Sequence, residues 1–210
     1  MGSKKLAVTE DGLNLILASG DLFPLVGFGT WKIPANTCEE MIYQAIKAGY
    51  RNIDCAALYN NEVQIGRGIK RALDEKIVTR KELFVTSKLW VTFRHPDHVR
   101  EGFNRTLSDL GLEYLDLYLI HNPTALKYVD PKIAYPPSFY YLPTPPEGPK
   151  IIVDKVPIID TWRVMEQLVQ EGLIRNIGVS NFSICLLRDL MDGAKIQPAV
   201  NQLEIHPYLT

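Results

Sequence analysis

The stretch "RNIDCAALYNNE", residues 51–62, decides how the rest of the chain reads. Its apolar run, Ile53 to Leu58, carries Asp54 near its start, and Tyr59 follows directly, ahead of an Asn-Asn pair. A carboxylate is costly to bury unless a cation or hydrogen-bond donors meet it. Asp54 therefore asks for a partner supplied from elsewhere in the chain, and Tyr59 stands close enough to share it.

Working outward, strands and helices alternate. Before the stretch, "LNLILASGDLFPLV" reads as a hairpin turning at Ser19-Gly20-Asp21, followed by a short apolar strand, "VGFGTW". The helix "TCEEMIYQAIKAGY" has a Thr37/Glu40 capping box, a stripe of Ile42, Ala45 and Ile46, and a stop at Gly49. "YRNID" is a strand, and "NEVQIGRGIKRALDE" a helix with Ile65, Ile69 and Leu73 on one face. "ELFVTSKLW" and "YLDLYLIH" are strands flanking the helix "HPDHVREGFNRTLSDLGL", which has Pro96 in its first turn and ends at Gly111. After a long loop, 122–156, come the helix "PIIDTWRVMEQLVQEG", the strand "LIRNIGVSN", the helix "FSICLLRDLMDG" and a sixth strand, "IQPAVNQLEIH". Such alternation builds βαβ units around a parallel sheet.

Composition sets outer limits. The chain has 210 residues, 46% of them hydrophobic and 22% charged, and its net charge of −1 gives no basic footprint for nucleic acid or an anionic membrane. No apolar run is long enough to span a bilayer. "MGSKKLAVTE" has no signal-peptide core and lacks the Ser or Thr at residue 6 that myristoylation wants. Cys38, Cys55 and Cys185 are odd in number and widely spaced, which suits buried small hydrophobes in a reducing, cytoplasmic setting. His95, His98 and His206 have no partners at metal-ligand spacing, so no metal site is expected. Trp162 falls at core spacing on its helix. The N-x-S/T matches at Asn104 and Asn181 fall within packed elements and read as chance.

The polar residues at the strand ends carry the functional signal. Successive apolar strands finish at Asp54, at Lys88, at His121, at Ser180-Asn181 and at Asn201-Gln202. In (β/α)8 barrels the carboxyl ends of the strands converge on the active site. A tyrosine near pKa 10 needs help to donate a proton at neutral pH. A neighbouring ammonium stabilises the phenolate, and a carboxylate holds that ammonium in a partly dry pocket. Asp54, Lys88 and Tyr59 can supply this set, with His121 orienting a carbonyl oxygen. Protonating that oxygen is half of a carbonyl reduction; the other half is a hydride from a nicotinamide.

At these residues the sequence resembles the aldo-keto reductase superfamily, in particular its aldose and xylose reductase branch. The matching stretches are "GFGTW" (27–31), "GYRNIDCAALYNNE" (49–62), "LFVTSKLW" (83–90), "LGLEYLDLYLIH" (110–121), "IRNIGVSNF" (174–182) and "PAVNQLEIHPY" (198–208), in family order. The resemblance implies an α/β fold, a (β/α)8 TIM barrel closed below by the N-terminal β-hairpin. It also implies NAD(P)H-dependent reduction of an aldehyde or ketone, such as a sugar aldose, to the alcohol. By resemblance, Asp54, Tyr59, Lys88 and His121 form the catalytic tetrad, with Tyr59 as general acid. Gly29, Thr30, Asp54, Ser180, Asn181 and Gln202 line the cofactor, expected to be NADPH with NADH as the alternative. Trp31, Trp90, His121 and Asn122 wall the substrate pocket. The expected partner is a small carbonyl compound, and the expected state is a monomer or weak dimer. Some such folds instead serve as NADPH-binding, redox-sensing regulatory subunits with little turnover.

Two departures from the family pattern stand out. Asn122 replaces the aromatic residue often found after the histidine. Only six barrel strands precede Thr210 where the family has eight, so residues 1–210 are expected to form a single, incomplete barrel domain lacking the last two βα units of a chain of roughly 300 residues. Loop 122–156 is rich in proline and carries Tyr128, Tyr135, Phe139, Tyr140 and Tyr141. It is expected to pack in part over the barrel mouth as a substrate rim.

Overall fold

The computed structural model describes residues 7–140, 146 and 148–209. A small antiparallel sheet comes first, made of β1 (Ala7–Val8), β2 (Asn14–Ile16) and β3 (Leu22–Pro24). β2 and β3 pair from Ile16↔Leu22 outward, and the turn between them closes on Leu17 N–H to Asp21 O, where Gly20 has a positive φ. The main sheet is parallel, in the order β4 (Gly27–Gly29), β5 (Asn52–Asp54), β6 (Phe84–Leu89), β7 (Leu115–Ile120), β8 (Ile174–Ser180) and β9 (Asn201–Gln202). Helices α1 (Ala35–Lys47), α2 (Glu62–Asp74), α3 (Pro96–Leu110), α4 (Ile158–Gln170) and α5 (Ile184–Gly193) connect these strands. Each strand pairs with its sequence neighbour, the strand order of a (β/α) barrel. β4 and β9 stand at the two edges of this six-stranded arc.

β6 and β7 are buried along their whole length, and their outward residues meet the helices in the main core. Ile42 and Ile46 of α1, Ile65 and Ile69 of α2, Val99 and Phe103 of α3, and Trp162 and Met165 of α4 fill that layer, each pair on one helical face. Trp162 is the core residue expected, and its indole N–H reaches Ile196 O at 2.9 Å.

The structure corrects three local expectations. Thr37 does not cap α1. Pro34 does, because its carbonyl already accepts from Thr37 N–H and Cys38 N–H, so the helix is under way when Thr37 is reached. The same T-x-x-E spacing forms a true capping box at Thr79–Glu82, where both side-chain bonds are made. The sixth barrel strand is only Asn201–Gln202, although the pattern suggested eleven residues. Cys185 is exposed on α5, whose single well-buried residue is Leu190; Cys38 and Cys55 are fully buried as expected.

α2 and α3 approach closely at Gly66. A Cβ there would stand 2.4 Å from Leu110 O, a backbone atom that no rotamer change can move. Gly66→Ala should therefore lower unfolding stability by about 2 kcal/mol or more, read by urea denaturation.

Candidate active site

Lys88 leaves the inner face of β6 with its side chain 1% exposed. β5 lies beside it in register Asp54↔Thr86, which places the end of β5 within reach of the ammonium. Lys88 Nζ donates to both Asp54 oxygens at 2.8 Å and to Cys55 O at 2.8 Å, and lies 3.2 Å from Tyr59 Oη. The cationic partner that Asp54 asked for is thus Lys88, with Tyr59 on the same nitrogen. Burial works to lower the Lys88 pKa, but the Asp54 charge and the bonds to Asp54 and Tyr59 outweigh it, and the ammonium is favoured above its usual range.

For Tyr59 the balance falls the other way from the sequence expectation. Burial raises the phenol pKa more than Lys88 lowers it, with Asp54 adding to the rise. The phenol stays protonated at neutral pH, and Lys88 offsets only part of the cost of losing that proton. Tyr59 closes a short 3-10 turn, Ala57–Tyr59, ended by Asn60 in the left-handed region.

His121 follows β7 directly, and Asn181 Nδ2 donates to its carbonyl at 2.9 Å. Its ring lies edge-on to Tyr59 and to Trp90, with centroids at 5.8 and 5.3 Å. Burial, with help from the Lys88 charge, lowers its pKa to about 3, so the imidazole is neutral, and its Nδ1 is buried without a partner. Trp31 lies 4.8 Å from the Tyr59 ring and is half exposed, whereas Trp90 is buried and donates its indole N–H to Pro137 O. Asn122 turns its side-chain oxygen to Thr124 N–H.

The amides and small residues fall along the strand ends beside Asp54. Gln202 Nε2 donates to Asp54 Oδ1 at 2.9 Å, Ser180 Oγ donates to Gln202 O, and Asn181 Nδ2 donates to Ser180 Oγ. Thr30 donates its hydroxyl and its N–H to Asp54 O. Gly29 has nothing within 4 Å of where a Cβ would stand, so no packing inside this chain requires glycine there. A cavity of about 480 Å³ runs along the sheet from Gly29, Asp54 and Gln202 down to Asn52, Leu117 and Phe23 of the hairpin. Open backbone at Gly29 and converging amides suit a flat, hydrogen-bonding group such as a nicotinamide carboxamide. A second cavity, about 510 Å³, lies beside the hairpin at Asp21, Arg51 and Arg175 and touches none of Asp54, Tyr59, Lys88 and His121.

The described part of the long loop packs on the segment after β6. Phe139 meets the Trp90 ring at 4.7 Å, Tyr135 and Tyr128 meet Phe93, and Leu126 bridges to Val153. Tyr128 also stacks on His98 at 3.5 Å, while Tyr140 is about half exposed. Tyr141 lies outside the described residues. His206 is exposed and paired with Glu204.

Three buried polar residues behind the site escaped the sequence reading. Asn61 donates to Thr30 O and Ile33 O. Arg94, fully buried, donates to the Pro123 and Asn122 carbonyls and to Thr161 Oγ1, and burial lowers its pKa to about 10. Glu62 accepts from the Ser87 and Thr106 hydroxyls at 2.6 and 3.2 Å.

The sequence and fold match known proteins. The Aldo/keto reductase family model matches residues 25–210. The chain belongs to the aldo/keto reductase family. It is 53% identical to an NADPH-dependent D-xylose reductase of Meyerozyma guilliermondii over 94% of this chain and 61% of that protein. It is 52% identical to an NADPH-dependent aldose reductase of Saccharomyces cerevisiae over 92% of this chain and 59% of that one. In structure it is similar to the aldose reductase from Schistosoma japonicum, with TM-score 0.83 and 40% identity over 92% of this chain and 61% of that chain. A Bombyx mori aldo-keto reductase in complex with NADP gives TM-score 0.78 and 36% identity, covering 91% of this chain and 58% of that one. The chain thus spans about three fifths of the length of the relatives it matches.

Three stability outcomes follow from the site. Asp54→Asn leaves a buried ammonium without its counter-charge and should cost about 3 kcal/mol in urea denaturation at neutral pH. Lys88→Met should cost less, because Asp54 is 23% exposed and keeps Gln202. Glu62 titrates at about 7 in the fold against a reference of 4.5, chiefly because it is buried. The native state therefore holds this proton more tightly than the unfolded chain does. Its contribution is complete below pH 4.5 and lost as pH rises through 7. Glu62→Gln removes that titration, so the stability of the wild type relative to this variant should fall by about 3 kcal/mol across the window.

Proposed function

We propose that these residues form the acid–base site of an NADPH-dependent aldo-keto reductase that reduces a small aldehyde or ketone, such as a sugar aldose, to the alcohol. The supporting observation is the Tyr59 hydroxyl on Lys88, itself held by Asp54. Relatives named as xylose and aldose reductases that depend on NADPH or NAD(P)H point the same way. NADH is the alternative cofactor.

In this reading the nicotinamide, when bound, supplies the hydride. Ser180, Asn181 and Gln202 would hold its carboxamide, and Gly29, Thr30 and Asp54 would lie along the cofactor. Tyr59 gives its phenolic proton to the carbonyl oxygen as that oxygen gains charge. Lys88 stabilises the charge left on Tyr59 Oη, and Asp54 keeps Lys88 an ammonium in a nearly dry site. His121, neutral and buried, donates through a ring N–H to the carbonyl oxygen and orients it. Trp31, Trp90 and Asn122 wall the approach, with the long loop over the mouth. The reading places the protein in the cytoplasm as a monomer or weak dimer. Free cysteines suit a reducing compartment, and among the described residues no helix is long and apolar enough to cross a membrane.

Tyr59→Phe tests the assignment in the full-length protein, because it removes one hydroxyl and leaves the ring packing. The expected outcome is a fall in kcat of about 100-fold or more in NADPH oxidation with an aldehyde, with NADPH affinity by fluorescence titration within about twofold. Full activity in this variant would remove Tyr59 as the acid.

A further inference from the structure

Glu62 opens α2 three residues after Tyr59, and it is almost wholly buried. Among the described residues no cation pairs with it. Its hydrogen-bond partners are the Ser87 and Thr106 hydroxyls, one on β6 and one on α3. A buried carboxyl with only hydroxyl partners is costly, so its position calls for a reason beyond packing.

The geometry supplies one. Ser87 immediately precedes Lys88, and side chains alternate along a strand. Lys88 therefore points to Asp54 and Tyr59, while Ser87 points to α2 and α3. Glu62 grips the strand from behind at the residue next to the ammonium. Asn61, one residue earlier, donates to Thr30 O and Ile33 O. The loop that bears Tyr59 is thus pinned at its end to two places, the segment after β4 and the end of β6.

Other groups also act on the Glu62 carboxyl. Burial and the negative charge of Asp109 on α3 disfavour ionisation. The Ser87 and Thr106 hydroxyls and the Lys88 charge favour it. Cys55, just after β5, Tyr118 on β7 and Tyr135 on the long loop feel its charge. A narrow cleft of about 120 Å³, lined by Asn60, Glu62, Arg105, Asp109 and Tyr135, opens beside it.

We propose that Glu62 is a positioning residue of the site: its carboxyl fastens the Tyr59 loop to the strand that bears Lys88, and its charge acts on the Tyr59–Lys88 pair from behind the sheet. The inference rests on the reductase reading above. Ionised Glu62 favours the Lys88 ammonium and disfavours the Tyr59 phenolate. Tyr59 is then a weaker acid above pH 7 than below it.

The test compares the full-length wild type with Glu62→Gln and Ser87→Ala. The first readout is the pH profile of kcat with saturating NADPH and benzaldehyde. The wild type should lose activity a few fold as pH rises through about 7, with KM unchanged. Glu62→Gln should remove this inflection. Ser87→Ala should move it to higher pH, because the Ser87 hydroxyl favours the ionised carboxyl. The second readout needs no turnover. Tyr59 ionisation is followed by ultraviolet absorbance, as the difference between each protein and its Tyr59→Phe counterpart. The Tyr59 midpoint should fall in Glu62→Gln. Profiles and midpoints that superimpose across all three proteins overturn the proposal. If the wild type reduces no carbonyl compound, the reductase reading fails. The Tyr59 midpoint then decides the role of Glu62, and an unchanged value rejects it. If Glu62→Gln does not fold, Ser87→Ala carries the same decision through the position of the inflection, and an inflection that does not move rejects the role.

Discussion

The Lys88 ammonium is the group around which the rest of the site is arranged. An almost fully buried cation survives only where acceptors surround it, and here two carboxylate oxygens and a backbone carbonyl do so at 2.8 Å. Those acceptors come from the end of β5, so the pairing of β5 with β6 is also the pairing of charge with counter-charge. A slip of one residue in that register would turn Lys88 into the helix layer and Ser87 into the site. Gln202 then reaches Asp54 from β9, at the far edge of the sheet. A single carboxylate thus links a strand beside one edge of the arc to the strand at the other.

Lys88 does not make Tyr59 a strong acid in the resting structure. Burial wins, and the phenol holds its proton. In the reductase reading this is a useful state, because a donor that ionised early would meet the carbonyl without a proton to give. The contribution of Lys88 comes when the proton leaves, as a fixed positive charge at 3.2 Å from the oxygen that becomes negative. Neutral His121 fits the same arrangement, since a second cation beside Lys88 would be opposed by the charge already there.

Much of this was legible in the sequence, and the reasons differ by element. Helices with apolar residues at three- and four-residue spacing declare their buried face, so α2 and α3 fall close to where periodicity puts them. The buried strands read as apolar runs, and their polar ends mark the rim. What periodicity cannot show is a polar residue facing inward from a helix start. Glu62 and Asn61 look like a solvated helix N-terminus, and Arg94 looks like a surface cation before a helix. Their burial depends on contacts with residues 25 to 67 positions away in the chain. The Thr37 cap failed for a local reason, because two T-x-x-E stretches exist and only the carbonyl of Pro34 decides that one helix starts early.

The two halves of the site rest on different supports. The acid–base groups sit on or directly beside strand ends, where the parallel ladder fixes the backbone, and Tyr59 is tied down by Asn61 and Glu62. In the reductase reading the substrate wall would be built from loops: Trp90 is held by Pro137 and Phe139, and Asn122 is held through the carbonyls that Arg94 grips. Loops tolerate substitution and insertion far better than buried strands do. In the reductase reading, a change of residue in the 122–156 loop or at Asn122 would therefore reshape which carbonyl compound fits while leaving Lys88, Asp54 and Tyr59 where they are. In that reading, Asn122 in place of the aromatic residue that the family resemblance leads one to expect is such a change, because none of the bonds to Lys88 involves Asn122.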